Sequence, residues 1–275
     1  MSFATRLAEV TEAGPALCVG IDPHPAILES WGLEDSPRGL EQWATLVARL
    51  VASSDAKIVK PQVALFERAG VRGMSALATL LASLRESGLL VIGDAKRGDI
   101  GSTMEGYADA WLRPGSDFEV DALTVVPYQG LGAVEPALER ALEHDKGVFV
   151  LAATSNPEAL VTQSARRADG LTVAGGVVKD LHAWVATQGC APAGFGVVIG
   201  ATVDQNALGI APGDFPEMPI LAPGYGAQGA PLGRARADFP ASRHVIPVAA
   251  RSLLAAGPQG FVDAIGGALA EVSAA

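Results

Sequence analysis

The sequence is short of cysteine, histidine, aromatic residues and positive charge, and each shortage removes a class of protein. Its two cysteines, Cys18 and Cys190, are too few for a disulfide framework and lack the CxxC or histidine-paired spacing of a zinc site. The four histidines stand singly at 24, 144, 182 and 244, so no metal centre is expected. Twenty Lys and Arg against thirty Asp and Glu leave a formal charge of −10, which opposes the lysine- and arginine-to-phosphate pairing on which nucleic-acid affinity is built. Residues 181–203 carry no Lys, Arg, Asp or Glu, yet Gly, Pro, Gln and Thr interrupt them, against a membrane span. The opening MSFATRLAEVTEAG has no apolar core of signal-peptide length. These absences lead us to expect a cytoplasmic protein with free thiols and with neither nucleic acid nor membrane as partner.

What remains is aliphatic. Of 275 residues, 49% are hydrophobic and only 5% aromatic, so Ala, Val, Leu and Ile must build one large core. The length suits either two ordinary domains or a single α/β barrel of about 250 residues. Eight short, β-branched runs decide between them. They are ALCVGID (16–22), AKIVKPQ (56–62), LLVIGDAK (89–96), ALTVVPY (122–128), GVFVLAATS (147–155), GFGVVIGAT (194–202), MPILAPG (218–224) and HVIPVAA (244–250). Continuous apolar runs that end in Gly, Pro or polar residues mark strands buried on both faces.

Helical patterns such as GLEQWATLVARLVASS, GMSALATLLASLRES and LGAVEPALERALEHD lie between them, and parallel neighbours require such crossovers. Residues 1–275 are therefore expected to form a single (β/α)8 TIM barrel. An open doubly wound sheet is the alternative, and no GxGxxG turn follows the first run to support it. The longest gap, 155–194, is expected to hold a loop, SNPEALVTQSARRADG, and a helix, LTVAGGVVKDLHAWVATQG, that fold over the barrel mouth.

An α/β barrel builds its active site where its strands end. Polar residues at those ends are Asp22, Lys60, Asp94 with Lys96, Tyr128, Ser155 and Thr202, with Gln228 just past the seventh run and Arg251 just past the eighth. VIGDAKRGDIGST (91–103) is the densest feature. Asp94 and Lys96, two apart on a strand, are expected to leave on the same face, and a carboxylate about 4 Å away would hold the ammonium protonated and aimed, by roughly 4 kcal/mol at an effective dielectric near 20. That suits a general acid; a solvated charged turn is the bland alternative. Lys60 could extend the row into an alternating array of Lys60, Asp94, Lys96 and Asp99, or be a surface lysine beside a turn. Asp22 could accept a sugar hydroxyl or cap the turn made by Pro23. LAPGYGAQGA (221–230) and VAARSLLAAG (248–257) follow the strands after which barrels commonly bind phosphate, with Arg251 at a helix start.

These residues resemble the orotidine 5′-phosphate decarboxylase family, in particular its longer bacterial branch. The resemblance rests on VGIDPHP (19–25), VKPQVALFE (59–67), DAKRGDIGST (94–103), LAATSNPEA (151–159), APGYGAQG (222–229) and ARSLL (250–254), in family order along the whole chain. It implies loss of CO2 from orotidine 5′-monophosphate to give uridine 5′-monophosphate, the last step of pyrimidine nucleotide synthesis, without metal or organic cofactor. It further implies that Lys96 protonates C6, that Asp94 faces the departing carboxylate, and that Lys60 and Asp22 contact the ribose. Ser155 would read the pyrimidine edge and Pro223 line its pocket, while Gln228, Arg251 and the backbone of Ala250 hold the phosphate. Asp99, Ile100 and Thr103 would reach into the neighbouring site of a homodimer. The chain departs from shorter members at Ala250, where they usually carry Gly before the arginine.

The residues leave other readings open. A sister barrel lyase uses D-x-K-x-x-D with Mg2+ on a sugar phosphate, although Lys60 puts a cation where those relatives place a carboxylate. A Schiff-base aldolase working through Lys96 and a non-catalytic nucleotide-phosphate binder are the remaining two.

Overall fold

The computed structural model describes residues 1–226 and 229–274. Eight parallel strands close into a barrel in sequence order: β1 Cys18–Ile21, β2 Ile58–Pro61, β3 Leu90–Arg97, β4 Ala122–Val125, β5 Gly147–Ala153, β6 Phe195–Ile199, β7 Ile220–Pro223 and β8 Val245–Ala249. Seven lie inside the expected runs, and β3 extends one residue past its run, to Arg97. Closure comes from β1 against β8, with Cys18 opposite Val248 and Val19 opposite Ala249.

The strands serve two cores because successive side chains point to opposite faces. Cys18, Ile58, Leu90, Ile92, Ala122, Phe149, Val198, Leu221, Ile246 and Val248 pack together as the barrel interior. Their neighbours, such as Val19, Val59, Val91, Leu123 and Val150, pack outward against the helices. The helix Phe3–Thr11, started by the Ser2 side chain accepting from Thr5 N–H, sends Phe3 and Leu7 into the interior cluster and plugs its lower end. Phe3 meets Phe149 edge-on at 6.1 Å, in space that a Cβ on Gly147 would fill.

Crossover helices occupy the expected segments, notably Pro37–Ala52, Gly70–Glu86 and Leu131–Glu143. The gap after β5 differs from expectation. Its loop carries a short helix, Ala159–Gln163, but the longer helix Val173–Gln188 lies on the barrel flank against β5 and β6 instead of over the mouth. Ala174, Val178, Leu181, Trp184 and Val185 form one buried stripe, and burying it against the sheet outweighs any contact available at the rim.

The lower end also holds an ion cluster. Glu119 accepts from Lys146 Nζ at 2.7 Å and Gly115 N–H at 2.8 Å, and pairs with Arg85. Burial pushes its carboxyl upward, but these donors outweigh it and hold the group at about 2. A carboxyl lowered on folding contributes stability above its unfolded value of 4.5 and loses it as pH falls toward the folded value. Glu119→Gln is thus expected to lower unfolding free energy by about 2 kcal/mol at pH 7. Denaturant melts of both proteins should show the difference shrinking as pH drops below 4.5 toward 2.

Candidate active site

The alternation that builds the interior also builds the site above it. Two residues beyond Ile58, Ile92, Ala122, Leu221 and Val248, toward the C-terminal ends of the same strands, stand Lys60, Asp94, Thr124, Pro223 and Ala250; Cys18 leads likewise to Gly20 and Asp22. An apolar plug therefore gives way to a polar layer. A cavity of about 200 Å3 opens there, lined by Asp22, Lys60, Gln62, Asp94, Lys96, Pro223, Tyr225, Ala250 and Arg251, with Val198, Leu221 and Val248 as its apolar floor. A roomier groove of about 450 Å3 runs between the helices Pro37–Ala52 and Gly70–Glu86, but its charges are only Glu41, engaged by Arg72, and Arg49.

Asp94 is the hub of the cavity. Its Oδ2 accepts from Lys60 Nζ at 2.6 Å and Gln62 Nε2 at 2.9 Å; its Oδ1 accepts from Lys96 Nζ at 2.6 Å and Thr124 Oγ1 at 3.0 Å. Burial raises the cost of charging Asp94, yet the two ammonium groups overcome it and hold the carboxyl well below its usual range. Lys60 shows the converse, with burial opposing its charge and Asp94 and then Asp22 outweighing it, so it stays protonated. A buried charge left unpaired would cost several kcal/mol, so Lys60 and Asp94 require each other. The two lysines differ in access: the Lys60 side chain is 6% exposed and that of Lys96 40%. Lys60 is a fixed counter-charge, and Lys96 faces the opening.

Simple strand alternation does not place Lys96. The pairing of β3 with β4 slips between Gly93 and Arg97, and Lys96 has φ of 48°. This left-handed backbone costs a non-glycine residue roughly 1–2 kcal/mol. The Lys96 N–H donates to Thr124 Oγ1 at 3.0 Å, which holds the kink. Strain of this kind persists where surrounding structure over-determines it, and here it returns Lys96 to Asp94.

The other expected residues divide cleanly. Asp22, Pro223, Ala250 and Arg251 line the cavity, and Asp22 Oδ1 is buried with no hydrogen-bond partner among the described residues, so it does not cap the turn at Pro23. Asp99 leaves the array: its Oδ1 accepts from Ile100 N–H at 2.8 Å, and Ile100 and Thr103 are exposed at the start of the helix Gly101–Leu112. Ser155 and Thr202 are exposed outside the cavity lining, as is Tyr128, three residues past the end of β4. Gln228 lies outside the described residues. Cys18 sits in the interior cluster with its thiol pushed up to about 12 by burial, and Cys190 is half-buried; both are free.

Residues 15–261 match the model of the orotidine 5′-phosphate decarboxylase / HUMPS family. The chain belongs to this family. An orotidine 5′-phosphate decarboxylase of Salinispora tropica is 49% identical over 260 residues, covering 94% of this chain and 91% of the relative. One from Streptomyces coelicolor is 44% identical over 261 residues, covering 93% and 91%. A crystal structure from Streptomyces avermitilis, assigned as an orotidine 5′-phosphate decarboxylase, superposes with a TM-score of 0.91 at 42% identity, covering 99% of this chain and 95% of its own.

Within this decarboxylase / HUMPS framework, three residues at or beside the cavity carry no expectation from sequence. Gln62 and Thr124 each donate to Asp94, and Tyr225 places its ring in the cavity wall while its hydroxyl donates to Asp238 Oδ2 at 3.0 Å. Gln62 follows Lys60 in VKPQ, so its place at a strand end was visible; its role depends on the bridge that sets it opposite Asp94. Among the described residues no group of three or more His, Cys, Asp or Glu could hold a metal ion, and no helix is long and apolar enough to cross a membrane.

Proposed function

We propose that the chain decarboxylates orotidine 5′-monophosphate to uridine 5′-monophosphate and CO2, the last step of pyrimidine nucleotide synthesis. The observation that carries this reading is Asp94 held between two ammonium groups, each at 2.6 Å, in a cavity whose rim carries Arg251. Cleavage of the bond between C6 and the carboxylate leaves an electron pair on C6 and releases CO2. The Lys96 ammonium opposes that charge as it develops and then gives C6 a proton; the resulting amine recovers one from solvent through its exposed side. Asp94 is fully charged where the substrate carboxylate would arrive, so binding places like charges together and departure of CO2 relieves them.

Energy from remote contacts supports that placement. Arg251 and Gln228, with the Ala250 backbone, hold the phosphate, Lys60 and Asp22 meet the ribose hydroxyls, Pro223 flanks the pyrimidine and Ser155 reads its edge. Binding energy from the phosphate is then spent at C6, so losing Arg251 would reduce turnover as well as affinity. Asp99, Ile100 and Thr103 are not part of their own cavity's lining, and Ile100 and Thr103 are exposed, which supports a homodimer in which each subunit completes its partner's site.

A magnesium-dependent sugar-phosphate lyase fits less well, because ammonium nitrogens occupy the positions beside both Asp94 oxygens that a divalent ion would take. The deciding experiment follows the absorbance of orotidine 5′-monophosphate after addition of protein in excess EDTA. Loss of absorbance with formation of uridine 5′-monophosphate is expected; an unchanged spectrum would refute the proposal. A substrate-dependent adduct trapped by borohydride on Lys96 would favour the aldolase reading instead.

A further inference from the structure

We infer that Gly20 is a positioning residue for the phosphate grip, because Gly20 and Ala250 share room for a single methyl group where the barrel closes. This rests on the reading that Arg251 and the Ala250 backbone hold phosphate.

Gly20 and Ala250 are the next inward positions above Cys18 and Val248, which face each other across the β1–β8 seam. A Cβ built on Gly20 would lie 2.5 Å from Ala250 Cβ, 3.2 Å from Ala250 Cα and 3.4 Å from Ala249 O. The first distance is far too short for two non-bonded carbon atoms. The obstacle is a methyl fixed to the main chain, so no rotamer change relieves it, and only a shift of the Ala249–Ala250 backbone can.

That backbone leads directly into the site. Ala250 is the N-cap of the helix Arg251–Leu254, with φ of −130° and ψ of −76°, outside the left-handed region that favours glycine. The methyl at 250 is accommodated from the other side of the seam, by the absence of one at 20. On its other edge Gly20 pairs with Lys60, so the position lies between the charged pair on β2 and β3 and the arginine after β8. A displaced Ala250 moves the start of the Arg251 turn relative to Lys60 and Asp94, which changes the span between the ends of one bound nucleotide. Displacements of about 1 Å at such a position reduce rate severely. The Ala250 methyl is thus matched within this chain by the missing one at Gly20.

The test is a mutant cycle of Gly20→Ala in the parent and in an Ala250→Gly background, read by calorimetric affinity for uridine 5′-monophosphate and for uridine. In the parent, Gly20→Ala is expected to reduce the affinity gained from the phosphate by about tenfold or more; in the Ala250→Gly background it should cost less than about threefold. Equal costs in both backgrounds, or equal loss for uridine and its monophosphate, would overturn the inference. If the parent binds the two ligands alike, the phosphate reading itself fails, and melting temperatures then decide the shared space. A drop on Gly20→Ala confined to the parent supports it; the same drop in both backgrounds refutes it.

Discussion

Lys96→Ala is expected to lower turnover of orotidine 5′-monophosphate by at least about 10⁴-fold, since in the proposed mechanism it removes both the general acid and the cation facing the developing charge at C6. Binding of uridine 5′-monophosphate should survive. Asp94 would keep Lys60, Gln62 and Thr124 as donors, so its charge remains paired and the layer beneath the cavity stays intact. The left-handed backbone at 96 burdens alanine as it does lysine, and the substitution therefore adds no new strain there. The pairing of lost turnover with retained product affinity separates a chemical role from a structural one. It is checked by the absorbance assay together with calorimetry, and near-normal turnover would remove Lys96 from the mechanism. Lys60 cannot substitute, because it is buried beneath Asp94 and held by it.

Mixing two inactive variants should restore activity. Asp99→Ala is expected to be inactive if Asp99 completes the partner's site, and Lys96→Ala is expected to be inactive through its own site. In a hybrid dimer, one site combines the Lys96 of one subunit with the Asp99 of the other and is whole, while the second site lacks both. An equal mixture at exchange equilibrium should recover about one quarter of parental activity, because about half of the dimers are hybrids with one working site each. Activity of the mixture, with subunit exchange followed separately by a mass tag, checks this. No recovery despite complete exchange would place Asp99 outside any shared site. The geometry that motivates the experiment is local: Asp99 bonds its own loop at Ile100 N–H, and Ile100 is 61% exposed beside it.

Much of this site is legible one residue at a time. Lys60 and Asp94 end apolar runs on the same parity as Ile58 and Ile92, and a charged residue continuing the inward face of a barrel strand must enter the polar layer at its mouth. Arg251 is found by its place after the eighth run. Gln62, Thr124 and Tyr225 escape such reading because neutral polar residues end many strands, and what distinguishes these three is a partner on another element. Lys96 is an instructive case. Its contact with Asp94 is anticipated from spacing, but the spacing argument assumes regular alternation, whereas a ladder slip and a left-handed residue produce the contact. The helix Val173–Gln188 is misplaced by sequence for a related reason: periodicity shows that a stripe must be buried without showing against which surface.

The sequence by itself favoured the barrel over an open doubly wound sheet, since eight short apolar runs separated by amphipathic segments suit parallel strands covered on both faces. It also determined the chemical types present at the strand ends. Only the tertiary structure decided which of them meet. Asp94 has its four donors from three strands and a following turn, Asp99 bonds its own loop outside the cavity lining, and Gly20 makes room for Ala250 from the opposite end of the chain. Hydrophobic patterning is a local property of consecutive residues, whereas closure of β1 on β8 and the slip in β3 are set by the fit of strands far apart in sequence. That fit is where the proposed chemistry acquires its distances.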